Sequence, residues 1–362
     1  VSKEEFNFRK YRDGSDDLAQ RNLFKDCFPE TIGTPAEEVP HYRWKFKSFP
    51  SAVTSYEYVT ESSDGMLGYY AAIPYRYMIG DRVQTVGMVC DVMTSTRSRG
   101  QGIFTKLGSF ATDQMRRENL DFTTGYPIRP AVIPGHLKVG WKIAFKLPMY
   151  IRVLKCDSLL KNSAFKVLTP LLNVFMDFFR FLIEFFSSPS AYVAHFLDSS
   201  AFFNESKKYA VFFDSWKASQ KNYLIKDVDF LKWRTGAPGA SYRFLVVENN
   251  GTWIAVAIVR HTVLKGIPSL AILDLMILDL HLNARRLITR AFSEEAKRFR
   301  SEAIVIMSSR AAAKKLGLLL MGFIPTPAVF RLIIKKLNSS LDDLSLFSES
   351  RWQLGWIDSD DL

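Results

Sequence analysis

Phe230-Leu231-Lys232-Trp233-Arg234, then Pro238, then Ser241-Tyr242-Arg243-Phe244-Leu245-Val246: this stretch echoes a much earlier one. The earlier one is His41-Tyr42-Arg43-Trp44-Lys45, then Pro50, then Ser55-Tyr56-Glu57-Tyr58-Val59. Each block leads into two strand-like runs parted by a turn dipeptide, Asp64-Gly65 in the first and Asn250-Gly251 in the second. Such dipeptides supply the positive φ values that two-residue hairpin loops need. A third strand ends in Asp91-Val92-Met93 in one half and Asp274-Leu275-Met276 in the other. Both halves close on a Gly-aromatic pair, Gly140-Trp141 and Gly322-Phe323. The two aspartates lie 183 residues apart and the two glycines 182. A register held over so many markers indicates two copies of one α/β unit.

Each copy reads as strand, helices, an antiparallel meander, a long amphipathic helix, a strand, a short helix and a closing strand. The long helix of the first copy puts Ile103, Phe104, Leu107, Phe110, Ala111 and Met115 on one stripe. Its counterpart does so with Leu287, Ile288, Ala291, Phe292 and Phe299. Strands are expected after them at 120–124 and 303–307. The fold class is therefore α/β (α+β): two tandem domains, each a mixed, mostly antiparallel sheet flanked by helices. The expected boundaries are 1–155, an apolar helical linker at 156–204, 205–336, and a tail at 337–362.

The chain's 362 residues suit two or three domains. Three cysteines without CxxC spacing and five scattered histidines argue against a disulfide framework and a metal site. The charged start Val1-Ser2-Lys3-Glu4-Glu5 is unlike a signal peptide, and a cytoplasmic location is expected. The net charge of +11 calls for an anionic partner. The basic residues are spread and no nucleic-acid-binding motif accompanies them, so nucleic acid is not expected.

Between the third strand and the long helix of the first copy lies Arg97-Ser98-Arg99-Gly100-Gln101-Gly102-Ile103. A helix N-terminus offers unpaired N–H groups and the positive end of its dipole to an anion. Gly100 and Gly102 let backbone approach closely at positive φ, and Arg97 and Arg99 add charge. In isolation the same residues would suit a plain glycine turn opening a helix. Set between that strand and helix, with a strand, a short helix and Gly-Trp beyond, the motif resembles the GNAT superfamily of acetyl-CoA-dependent N-acyltransferases, in tandem form.

The resemblance covers about residues 5–155 with the loop and 205–336 by fold. It implies acetyl-CoA as cofactor, its pyrophosphate cradled by Arg97, Ser98, Arg99, Gly100, Gln101, Gly102 and Ile103. It implies that Val92, Met93 and Thr94 hold the pantetheine arm; Thr94 stands where the family's strand exit usually has proline. The matching loop of the second copy has Leu280, Asn283 and Arg285 in place of Arg97, Gly100 and Gly102, so one cofactor site per chain is expected.

The family's acid sits four residues before the Gly-aromatic pair, which here is His136; Leu318 is its second-copy match. An imidazole can serve as acid or base near neutral pH. A half-buried structural histidine is the alternative. Asp91 could take the ammonium proton, but Asp274 recurs in the copy without the loop, which favours a structural role for both. Cys90 is a weaker candidate as nucleophile, since the family transfers directly. Tyr126 and Arg129 are candidates for the acceptor cleft.

Thr169 to Phe186 is apolar apart from Asn173, Asp177, Arg180 and Glu184, which form one narrow stripe. An interdomain helix buried on most sides is the favoured reading, and an interfacial helix touching a membrane surface the other. The resemblance thus implies an acetyltransferase acting on a small-molecule amine, an amino sugar being the first candidate. A Fem-type aminoacyl transferase, against which the intact glycine loop argues, and a non-catalytic coenzyme A-binding module are the alternatives.

Overall fold

A computed structural model of the chain describes residues 6–63, 65–185, 192–278, 282–338 and 340–360, with side chains at all but 183–185. Val1–Glu5, Asp64 of the first hairpin turn, Phe186, Leu280 and the Glu184 side chain lie outside the described residues. The first strands are β1 (Asn7–Lys10), β2 (Tyr56–Ser62), β3 (Gly65–Ile79), β4 (Arg82–Thr94), β5 (Phe122–Gly125) and β6 (Lys142–Val153). There follow β7 (Tyr192–Asp198), β8 (Asn222–Leu224), β9 (Tyr242–Asn249), β10 (Thr252–Leu264), β11 (Ile267–Ile277), β12 (Ala303–Met307), β13 (Ile324–Lys336) and β14 (Trp352–Gln353). The earlier helices are α1 (Asp17–Cys27), α2 (Val39–Lys47), α3 (Ile103–Arg117), α4 (Ile133–Lys138), α5 (Asp157–Leu160) and α6 (Thr169–Phe185). The later ones are α7 (Ser199–Asn204), α8 (Ser206–Lys217), α9 (Val228–Thr235), α10 (Leu282–Arg298), α11 (Arg310–Leu316) and α12 (Asp343–Phe347).

Two compact units result, and their residues are interleaved in sequence. The first takes 1–145, 229–239 and 331–348; the second takes 146–228, 240–330 and 349–362. In the first, β1, β2, β3 and β4 pair antiparallel in that order, β4 pairs parallel with β5, and β5 pairs antiparallel with Ile333–Lys336 of β13. In the second, β7, β9, β10 and β11 run antiparallel, β11 pairs parallel with β12, and β12 pairs antiparallel with Met149–Val153 of β6. The two orders match strand for strand, with one exchange. Each copy's closing strand completes the sheet of the other unit. The boundaries expected from sequence follow the repeat, not these units.

Two further expectations change. The stretch 156–204 is not simply a helical linker, because β7 lies in it and serves as the edge strand of the second sheet. The tail 337–362 is divided between the units, and Trp352, Leu354, Trp356 and Ile357 are core residues of the second.

The hairpin and helix patterns translate directly. Asn250 and Gly251 have φ values of 50° and 77°, the left-handed pair that a two-residue hairpin turn requires. Leu107, Ala111 and Met115 of α3 are buried against Tyr58, Tyr70 and Val89 of the meander, and Ile103 is buried as well. Ile288, Ala291 and Phe292 of α10 do the same in the second core. Phe299 departs from its expected stripe: it falls beyond the end of α10 and is exposed, stacked on His261 at 3.9 Å.

Helix α6 also departs from expectation. It is not buried on most sides: Leu171, Val174, Phe175, Phe178, Phe179 and Leu182 are all exposed. Packing on α10 covers only part of its circumference.

Candidate active site

Strands β3 and β4 lose register between Tyr69/Met93 and Ala71/Cys90, so Asp91 and Val92 together oppose Tyr70. A bulge of this kind bends the strand and leaves the extra residue unpaired, and pairing resumes beyond it at Met93 and Thr94. Asp91 has φ 47°, a left-handed conformation that a non-glycine residue rarely adopts. β4 then leads through a one-turn 3₁₀ segment, Thr96–Ser98, into the glycine loop and α3. Asp26, from α1, fixes that segment. Its carboxylate accepts from the Thr96 N–H at 2.9 Å, the Thr96 hydroxyl at 2.7 Å and the Ser95 hydroxyl at 3.2 Å. Partial burial would raise the Asp26 carboxyl, but these donors outweigh it and hold the group below the usual range.

The loop presents its backbone outward. Gly100 and Gly102 have φ of 83° and 76°, and a Cβ built on Gly100 would meet no protein atom within 4 Å. Positive φ, not crowding by protein, is what glycine serves here. The first helical bond of α3 is donated by Lys106 to the Gly102 carbonyl. The N–H groups of Gly100, Gly102, Ile103, Phe104 and Thr105 reach no acceptor among the described residues. This is the donor array that binds an oxyanion.

Beside it opens a cavity of about 580 Å³. Val92, Met93, Thr94, Ser98, Arg99, Gly100, Gly102 and Ile103, all anticipated from sequence, line it. Arg97 and Gln101 belong to the same loop but are not among the lining residues. The lining also includes residues that sequence reasoning missed: Cys27 and Phe28 at the end of α1, Phe104 and Thr105 of α3, and Ala131, Val132, Gly135 and Lys138 around α4. Arg129, a candidate for the cleft, lines it too. Every charged lining residue, Arg99, Arg129 and Lys138, is basic. Donor array, glycine cradle and cationic wall together fit the phosphates of coenzyme A.

Cys27 donates its thiol to the Thr94 carbonyl at 3.4 Å, and burial pushes the thiol up to about 11. At neutral pH it is therefore not a thiolate nucleophile. Cys90 is buried and absent from the cavity lining.

His136, the candidate acid, lies outside the cavity lining. The residue is on α4, as its spacing requires, but it is buried between Phe104 and Trp141, both edge-on, with ring centroids 5.0 and 5.1 Å away. It does not line the cavity, and burial lowers its imidazole to about 4, so the ring is neutral at pH 7. Gly135 lines the cavity in its place, and a Cβ there would lie 2.5 Å from the Phe104 ring. This position cannot take a side chain without moving Phe104.

Asp91 is tied down as well: Lys45 Nζ of α2 lies 2.7 Å from its carboxylate, and both side chains are nearly buried. In the second unit Lys226 holds Asp274 at 2.6 Å, fully buried. Each copy thus pairs its aspartate with a lysine, but from different places: Lys45 lies in α2, and Lys226 precedes α9.

The second copy differs at the positions that match the glycine loop. Arg285, matching Gly102, donates to the Lys315 carbonyl and packs over Gly317. Leu275, Met276 and Ile277, matching Val92 to Thr94, are all buried.

Residues 14–144 match the acetyltransferase (GNAT) domain family. No curated protein sequence matches the chain. Among solved structures, a GCN5-related N-acetyltransferase from Anabaena variabilis shares 13% identity and a TM-score of 0.63, over 92% of this chain and 73% of that one. A tandem GNAT protein from the clavulanic acid biosynthesis pathway shares 11% and 0.61, over 93% and 100%. Saccharomyces cerevisiae N-myristoyltransferase with bound myristoyl-CoA shares 10% and 0.61, over 100% and 92%.

Proposed function

We propose that this chain, a tandem GNAT fold whose first copy carries the GNAT domain match, is an acyl-CoA-dependent N-acyltransferase with one cofactor site. The observation that carries the reading is the cavity at the start of α3, where unpaired loop amides meet a wall whose charged residues are all basic. Acyl-CoA, when bound, supplies an activated thioester. The amides of Gly100 to Thr105 and Arg99 would bind its pyrophosphate, and the opened edge of β4 at Val92–Thr94 would orient its pantetheine arm. Phe104 and Val132, on the apolar part of the wall, would keep water from that arm. Asp91 and His136 shape this site in our reading: Asp91 through Lys45 holds the bulge, and His136 wedges α4 against α3.

Acetyl is the acyl group we favour, and an amine the acceptor, with amino sugars the first class to assay. The likeness to a myristoyl-CoA-bound fold makes the acyl chain a variable of the test. Titration calorimetry with acetyl-CoA should give one site per chain, and Gly102→Asp, placing a negative charge at the cradle, should abolish it. Mass spectrometry of an amine panel incubated with acetyl-CoA or myristoyl-CoA then identifies acyl group and acceptor. Two equivalent sites, or undiminished binding by Gly102→Asp, would refute the site assignment.

A further inference from the structure

A helix on a protein surface ordinarily turns its apolar stripe inward. Helix α6 instead leaves most of its apolar stripe outward, and among the described residues of its polar side only Asp177 is exposed, at 55%. Asn173, Asp177 and Arg180 share one side, and Asn173 ties that side to the protein. Its Oδ1 accepts from the Cys156 N–H at 2.8 Å, and its Nδ2 donates to Asp157 at 3.1 Å. Arg180 pairs with Asp177 at 2.7 Å and is only 18% exposed. The opposite side carries Leu171, Val174, Phe175, Phe178, Phe179 and Leu182 at 44–69% exposure. Phe165 and Val167, just before the helix, extend the apolar surface. A contiguous apolar face of this extent is uncommon on a protein that meets only water, and marks a surface that is covered in use.

Charge identifies what covers it. From 155 to 182 the basic residues are Lys155, Lys161, Lys166 and Arg180, and the acidic ones Asp157 and Asp177. Both acids are engaged, by Asn173 and Arg180, whereas Lys155, Lys161 and Lys166 are exposed, the last two in the segment that leads into the helix. Among the described residues no helix is long and apolar enough to cross a membrane. An aromatic-rich apolar stripe preceded by exposed lysines is the composition of a helix lying in the headgroup layer.

We propose that residues 161–182 dock this protein on an anionic lipid bilayer, with the outward stripe of α6 among the upper acyl chains and Lys161 and Lys166 at the headgroups. The full chain should float with vesicles of phosphatidylcholine and phosphatidylglycerol, and much less with phosphatidylcholine alone. Phe175→Ser/Phe178→Ser/Phe179→Ser should stay at the bottom of the gradient, and Lys161→Glu/Lys166→Glu should lose the preference for anionic vesicles. All five side chains are exposed, so both variants should keep the wild-type circular dichroism spectrum and melting curve. Failure of the wild type to float, or flotation undiminished in the triple phenylalanine variant, overturns the proposal. So does a wild-type dimer that this variant splits while neither floats, because a second copy would then be what covers the face.

Discussion

Trp44 and Trp233 stack at 5.3 Å with their planes 15° apart, and each donates its indole N–H to the other's backbone carbonyl, at 2.6 and 2.8 Å. The two are the same position of the repeat, in α2 and α9, and both belong to the first compact unit. Reciprocal bonding is what equivalent residues of a duplicated sequence produce when they meet. Phe49 and Tyr75 add edge-on contacts to Trp233, at 4.9 and 6.1 Å.

The pair should therefore be energetically coupled. In a double-mutant cycle of Trp44→Leu and Trp233→Leu, followed by denaturant unfolding, the coupling should be roughly 0.5–3 kcal/mol, the range for residues sharing contacts and hydrogen bonds. Additive single effects would show that the stacking and the crossed hydrogen bonds contribute nothing jointly.

His136 should reveal itself through pH. Burial holds its folded-state pKa at about 4, below the ordinary value of 6.5, so the unfolded chain binds the proton more tightly. The stabilisation this represents is complete above pH 6.5 and is lost as pH falls toward 4. A shift of this size corresponds to roughly 3 kcal/mol in total. Unfolding free energies measured across that window should slope less steeply in His136→Leu, which installs the residue found at the matched position 318. A slope unchanged by the substitution would assign it to other groups. Turnover by this variant, on an acceptor that the wild type uses, is expected to stay near wild type at neutral pH.

Much of this was readable in advance because it depends on local pattern. The meander follows from alternating runs and turn dipeptides, α3 from its stripe, and the positive-φ loop at its start from two glycines ahead of a helix. The exchange of closing strands was not readable: β6 and β13 look like strands whichever sheet they join. Nor was β7, whose alternation is submerged in an apolar stretch. The far wall of the cavity comes from Cys27, Phe28 and α4, brought to the loop by tertiary packing with no shared motif. Spacing placed His136 on a short helix, α4, but its burial between the rings of Phe104 and Trp141, outside the cavity lining, is decided by tertiary packing. The composition of α6 likewise does not say which side is covered.

The Lys45–Asp91 pair should act as one unit. Lys45→Met removes the paired cation of a nearly buried carboxylate at a bulge already held at φ 47°, leaving it only the charge of Arg21, and should cost about 3 kcal/mol, the low end for breaking a buried pair. Adding Asp91→Asn removes the stranded charge while keeping a residue that tolerates left-handed φ, and should restore a large part of that loss. Chemical denaturation of the two single variants and the double reads this directly. A double variant as unstable as the sum of the singles would mean that the two groups act independently.

The last prediction concerns the second unit. Gly355 lies against β11 where Leu273 and Asp274 match Cys90 and Asp91, and a Cβ there would sit 2.5 Å from the Leu273 carbonyl oxygen. Its own φ is −130°, which any residue adopts, so glycine is needed for the close approach and not for backbone freedom. Trp356 and Ile357 follow, fully buried, on a strand whose first-copy counterpart borders an open cavity. The chain's own C-terminal segment thus covers the second copy just before Leu275–Ile277, which match the pantetheine-holding residues proposed for the first. Gly355→Ala should force the segment from the strand and lower stability by about 1–3 kcal/mol, the usual cost of an overpacked contact. Calorimetry on the same variant should still find one coenzyme A site. A second site appearing on substitution would mean that this segment, and not the Arg285 side chain and the lost glycines, is what keeps the second copy from binding.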